Sequence, residues 1–126
     1  MNCTFIGLGN MGKELCSRIG SAGFHTFAYD LNSAASQYAE KNYKNVYQSN
    51  LIDAVKQSGV ILSCLPNSLL VREIVNQLLD EEGALTNAQL WIDTTSGHPG
   101  ESQKIASNLK GAKVEFFDCA VSGGPA

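Results

Sequence analysis

Residues Gly7-Leu8-Gly9-Asn10-Met11-Gly12 spell G-x-G-x-x-G, directly behind a short apolar run (Cys3 to Ile6) and directly ahead of a helical pattern. Alone, that spacing arises often by chance; its setting is what restricts the fold. Lys13 to Ala22 puts Leu15, Ile19 and Ala22 on one helical face, and Gly23 stands where a helix C′ glycine belongs. Thr26 to Tyr29 reads as a second strand that ends at Asp30, eighteen residues after the last glycine. Strand, glycine turn, helix, strand and acid in this order form a dinucleotide-binding fingerprint. Gly7 permits the tight turn, Gly9 lets backbone approach a pyrophosphate, and Gly12 lets helix and strand pack closely. Leu8, Asn10 and Met11 complete the turn, whose free N–H groups and helix dipole would face the phosphates. Asp30, with Leu31 and Asn32 behind it, is suited to accept hydrogen bonds from the adenine-ribose hydroxyls; a capping aspartate at a strand–helix junction is the other reading. A 2′-phosphate there would face a carboxylate, and the stretch from Leu31 to Ala34 supplies no basic partner. NAD is therefore favoured over NADP.

The rest of the chain repeats the strand–helix alternation. Asn32 or Ser33 can cap a helix to about Lys41, a weak strand follows over Asn45 to Tyr47, and Ser49 or Asn50 can cap a short helix over Leu51 to Gln57. Val60 to Leu65 is an almost unbroken apolar run, as a central parallel strand requires. Ser68 to Leu79 carries an apolar stripe at helical spacing, Leu90 to Ile92 is a strand ending at Asp93, Pro99 opens a helix to about Leu109, and Lys113 to Asp118 is a sixth strand. The expected fold is α/β: a Rossmann-type, doubly wound parallel sheet in the order 3-2-1-4-5-6.

Three further loops share the sheet edge that carries the glycine turn. Leu65-Pro66 can wall off a cofactor ribose or nicotinamide, or be an ordinary loop ahead of a helix cap. In Asp93-Thr94-Thr95-Ser96-Gly97-His98-Pro99 the Thr95 and Ser96 hydroxyls crowd the same crevice, although a helix-capping turn would look similar. Ser122-Gly123-Gly124 sets a hydroxyl beside two bare amides, either a nest for a carboxylate or a plain turn. His98 lacks an identifiable carboxylate partner and reads as a solvated loop residue rather than a general acid or base.

Composition narrows the function classes. The net charge of −3 argues against nucleic acid as a partner, and no apolar run approaches a membrane span. No basic presequence precedes the first strand, so the expected location is cytoplasmic. Cys3, Cys16, Cys64 and Cys119 are widely spaced and lie in apolar stretches, as buried thiols in a reducing compartment would. They and the two histidines suggest no metal site.

These motifs in this order resemble the β-hydroxyacid dehydrogenase family, which includes 3-hydroxyisobutyrate dehydrogenase and 6-phosphogluconate dehydrogenase. The family's G-L-G-x-M-G is matched at Gly7 to Gly12, its L-P at Leu65-Pro66, and its D-x-S-T-x-x-P by Asp93, Thr95, Ser96 and Pro99, with the two hydroxyl residues swapped. Its D-A-P-V-S-G-G is matched by Asp118, Val121, Ser122, Gly123 and Gly124, with Cys119 and Ala120 replacing alanine and proline. The resemblance implies that the glycine turn and Asp30 hold NAD, that Leu65, Pro66 and Ser96 border it, and that Ser122 to Gly124 hold a substrate carboxylate. It also implies a longer, homo-oligomeric oxidoreductase that interconverts a small 3-hydroxy acid and its semialdehyde by hydride transfer. Residues 1–126 would be its dinucleotide-binding domain, the catalytic lysine and a helical C-terminal domain lying beyond them. Non-catalytic nucleotide binding on the same fold, or an imine-reducing or phosphogluconate-type relative, are the alternatives.

Overall fold

The computed structural model of the chain describes residues 2–119. Strand and helix alternate throughout: β1 (Asn2–Ile6), α1 (Asn10–Ser21), β2 (His25–Tyr29), α2 (Ser33–Asn42), β3 (Val46–Gln48), α3 (Leu51–Lys56), β4 (Val60–Ser63), α4 (Ser68–Asp80), β5 (Leu90–Asp93), α5 (Pro99–Lys110) and β6 (Glu115–Asp118). All strands pair in parallel, in the order β3-β2-β1-β4-β5-β6. The expected topology is the observed one. Every strand thus delivers its C-terminal end to one edge, and the order reverses between β1 and β4, where a crevice must open.

The sheet is buried on both faces. Phe5, Leu8, Cys16, Ala28, Ala39 and Val46 form one core under α1 and α2. Ile6, Ile61, Val75, Leu78, Trp91, Ile105 and Leu109 belong to the other, under α4 and α5. Neighbours in β1, Phe5 and Ile6, fall in opposite cores, as the period of two demands.

Local geometry moves several boundaries. Helix α1 begins at Asn10 rather than Lys13, because the second half of the glycine motif is already its first turn. Its end is as expected: Gly23 has φ +102, and the Gly23 and Phe24 amides reach back to the Gly20 and Ile19 carbonyls, a Schellman closure. Asn45 and Lys113 are left-handed (φ 61 and 63), so each ends a turn and the following strands start later than the sequence pattern suggests. Asn32, Asn50 and Asn67 cap α2, α3 and α4 through their side chains.

The cysteines depart from the expectation of four buried thiols. Cys3 and Cys16 are buried, and burial pushes the Cys16 thiol up to about 12. Cys64 is half-buried because it follows the end of β4 at the crevice, and Cys119 is exposed because it follows edge strand β6. No helix among the described residues is long and apolar enough to cross a membrane.

Candidate functional site

A cavity of about 490 Å³ opens where the strand order reverses. Gly7, Gly9, Asn10, Met11 and Gly12 form its floor, Asp30 and Leu31 one side, Leu65 and Pro66 the other. Its size falls within the range of small-molecule and cofactor sites.

The three glycines do different work. Gly7 has φ +100, and a Cβ there would strike the Cys64 carbonyl, so the turn itself demands glycine. A Cβ on Gly12 would strike the Gly7 carbonyl; bare helix backbone lets α1 sit against the turn. Gly9 is otherwise. It has φ −67 and ψ −169, open to any residue, and a Cβ there would meet nothing within 4 Å. Neither strain nor packing within the described residues requires a glycine at this position. The open space above it belongs to the cavity.

Helix α1 aims its first amides at that space. Gly9 caps it without a side-chain hydrogen bond, and its first turn holds no acidic residue, so the Asn10, Met11 and Gly12 N–H groups are left to bind something else. Unpaired amides, a helix dipole and room for backbone contact together fit a pyrophosphate. Asp30, at the end of β2, closes the turn: its carboxylate accepts from the Leu8 amide at 2.6 Å and from the Asn32 amide at 2.8 Å. Two backbone bonds leave a carboxylate further acceptor capacity for ribose hydroxyls.

The Leu65-Pro66 wall is braced from behind. Thr95 is 1% exposed, and its Oγ1 accepts from the Leu65 amide at 2.9 Å. The Thr95 amide in turn donates to Asp93 Oδ1, which also accepts from Ser63 Oγ at 2.8 Å, while the buried Trp91 Nε1 donates to that same hydroxyl. Burial pushes the Asp93 carboxyl above the usual carboxylate range; hydrogen bonds from Thr95 and Ser63 oppose the rise and Asp118 adds to it. Such a satisfied buried network holds the loop after β5 rigidly against the end of β4.

The candidate residues thus separate. Gly7, Gly9, Asn10, Met11, Gly12, Asp30, Leu31, Leu65 and Pro66 share the cavity. Leu8 turns its side chain into the core, Asn32 caps α2, and Thr95 supports the wall from behind. Ser96, the next residue of the same loop, is exposed. His98 caps α5, its Nδ1 accepting from the Gly100 amide at 3.2 Å. Ser122, Gly123 and Gly124 lie outside the described residues. The sequence pattern does not mark the other cavity residues as site residues: Ile6, Tyr29 and Cys64 at the strand ends, and Leu70, Glu73, Ile74 and Gln77 on one face of α4. For the four on α4, the i, i+3, i+4, i+7 spacing is the available signal, with two polar positions flanking the apolar stripe.

A sequence profile described as the NAD binding domain of 6-phosphogluconate dehydrogenase matches residues 2–126. The mitochondrial 3-hydroxyisobutyrate dehydrogenase of Drosophila melanogaster is 24% identical over 123 residues, covering 98% of this chain and 37% of that protein. The 3-sulfolactaldehyde reductase of Escherichia coli is 30% identical over 121 residues, covering 93% and 39%. The solved structure of Mycobacterium tuberculosis 3-hydroxyisobutyrate dehydrogenase with L-serine superposes with a TM-score of 0.86 at 26% identity, covering 98% of this chain and 41% of that one. The chain therefore spans about two-fifths of the length of these relatives.

Proposed function

We propose, from the premise that this chain belongs to the family of the NAD-binding domain of 6-phosphogluconate dehydrogenase, among the β-hydroxyacid dehydrogenases, that it holds NAD in preference to NADP for oxidation or reduction of a small 3-hydroxy acid and its semialdehyde. The observation that carries the cofactor reading is Gly9, a glycine that the described chain does not need for itself, set at the uncapped end of α1. When bound, the nicotinamide accepts or gives the hydride. The chain's own residues bind and orient. The amides of Asn10 to Gly12 take the pyrophosphate, Asp30 takes the adenine-ribose hydroxyls, and the braced Leu65-Pro66 wall keeps water from the nicotinamide-ribose side.

Substrate handling rests on the resemblance. Ser122, Gly123 and Gly124 are proposed to hold the substrate carboxylate. They follow β6, whose end is joined to the same sheet edge by the Cys119 amide on the Asp93 carbonyl at 2.7 Å. No lysine or histidine lines the cavity among the described residues. On the resemblance alone, the acid–base group for the substrate hydroxyl is proposed to be the family's lysine, outside residues 1–126. Residues 1–126 alone are expected to bind NAD without turning over substrate.

The NAD preference is tested by calorimetric titration of both cofactors. NAD should bind at least about tenfold tighter, a difference of about 1.4 kcal/mol, because the 2′-phosphate would meet the Asp30 carboxylate with no basic partner beside it. Equal affinities, or tighter NADP, would remove Asp30 from the role assigned to it.

A further inference from the structure

We propose that Glu73 on α4 reads the amino edge of the cofactor's adenine, making the cavity select a 6-aminopurine over a 6-oxopurine. This rests on the cofactor reading above and adds the base to it. The cavity extends past Asp30 to Leu31, and to Leu70, Glu73, Ile74 and Gln77 of α4. Strands β2 and β4 flank β1, so the Leu31 loop and α4 approach the crevice from opposite sides. Leu31 is 81% exposed, Leu70 half-buried and Ile74 buried. These apolar groups line one cavity, Leu31 from the β2 side and Leu70 and Ile74 from α4, and suit the two faces of a flat heterocycle; a base held there loses water from its faces and keeps only its edge to be read.

Glu73 and Gln77 stand one helical turn apart beside that slot. Both are exposed, with their polar ends available to a ligand at the rim. The neighbouring cation does not neutralise Glu73: Arg72 points toward α5 and pairs with Glu101 at 3.2 Å. A carboxylate accepts hydrogen bonds and cannot donate them. Set against the 6-substituent itself, it favours the exocyclic amine of adenine and repels the carbonyl oxygen that hypoxanthine or guanine carries there, whose neighbouring N1–H it meets only if the base shifts along its edge. Gln77 can present either its oxygen or its NH₂, so it supports a base without choosing between them. With Asp30, Glu73 also places a second negative charge in the cavity, unfavourable for the extra phosphate of NADP.

The test compares NAD with nicotinamide hypoxanthine dinucleotide, in which an oxo group replaces the adenine amine, by calorimetry on the native chain and on Glu73→Ala. The native chain should prefer NAD by about tenfold or more, the scale of a hydrogen bond to a charged group. Glu73→Ala should weaken NAD several-fold and leave the hypoxanthine dinucleotide bound as tightly or somewhat more tightly, so that the preference collapses. Glu73 is exposed, and circular dichroism should show the variant folded as the native chain is. A native preference below threefold, or a preference that survives Glu73→Ala, would overturn the assignment while leaving the cofactor reading intact. Failure of the native chain to bind either dinucleotide would overturn both.

Discussion

Replacing Gly9 by valine is expected to lower NAD affinity by about a hundredfold or more, roughly 2.7 kcal/mol, while the fold persists. The two halves of that expectation have separate causes. The fold persists because Gly9 already has a β-region conformation and a Cβ there meets nothing within 4 Å. Valine is a poorer helix N-cap than glycine, so a loss of about 1 kcal/mol of stability is the most that local structure imposes. Binding fails because the branched side chain fills the space through which a pyrophosphate must approach the Asn10 to Gly12 amides. Native circular dichroism with unchanged affinity would show that the dinucleotide does not lie on this turn.

Gly12→Ala should do the reverse, and its sign is the informative quantity. Gly12 sits inside α1, where helix propensity alone makes alanine more stable than glycine by about 1 kcal/mol. The structure opposes this, because the added methyl would run into the Gly7 carbonyl oxygen, a backbone atom that cannot rotate away. Relief requires α1 to lift from the turn or the turn to move off β4. Overpacking of this kind costs about 1–3 kcal/mol and occasionally more, enough to reverse the propensity gain. With a backbone atom as the obstacle, the cost falls in the upper part of that range, and we expect a net loss of about 1–2 kcal/mol and a melting temperature lower by several degrees. A variant as stable as the native chain, or more so, would mean that the helix and turn are not packed as described.

Gly7 and Gly12 show why parts of this molecule are legible in its sequence. G-x-G-x-x-G after a strand, with an acid ending the next strand, carries its structural consequence in residue type: only glycine fits the backbone of Gly7 and the contact at Gly12. The strand order follows from the same signal, since short parallel crossovers leave few alternatives once the turn is placed. Where conformation depends on a single residue's backbone, the pattern misleads. Asn45 and Lys113 look like strand beginnings and are left-handed turn residues. Thr95 is a residue type suited to the crevice, but its hydroxyl braces Leu65 instead, because the loop after β5 folds back on the end of β4. The α4 wall was hidden for a different reason. Leu70 and Ile74 belong to an apolar stripe whose period announces burial, and periodicity does not distinguish a core from a cofactor slot. Only the tertiary placement of that stripe beside the β1–β4 crevice brings Glu73 and Gln77 into the site.

The uncapped start of α1 and the cavity above it are the proposed binding site of NAD. An amide-resolved NMR titration of the ¹⁵N-labelled chain with NAD tests it most directly. Saturable shifts are expected, largest at the amides of Asn10, Met11 and Gly12, with smaller ones at Asp30 to Asn32 and along Leu70 to Gln77. Absence of shifts at millimolar NAD, or shifts confined to the opposite end of α4 around Leu79, Gly83 and Thr86, would contradict it.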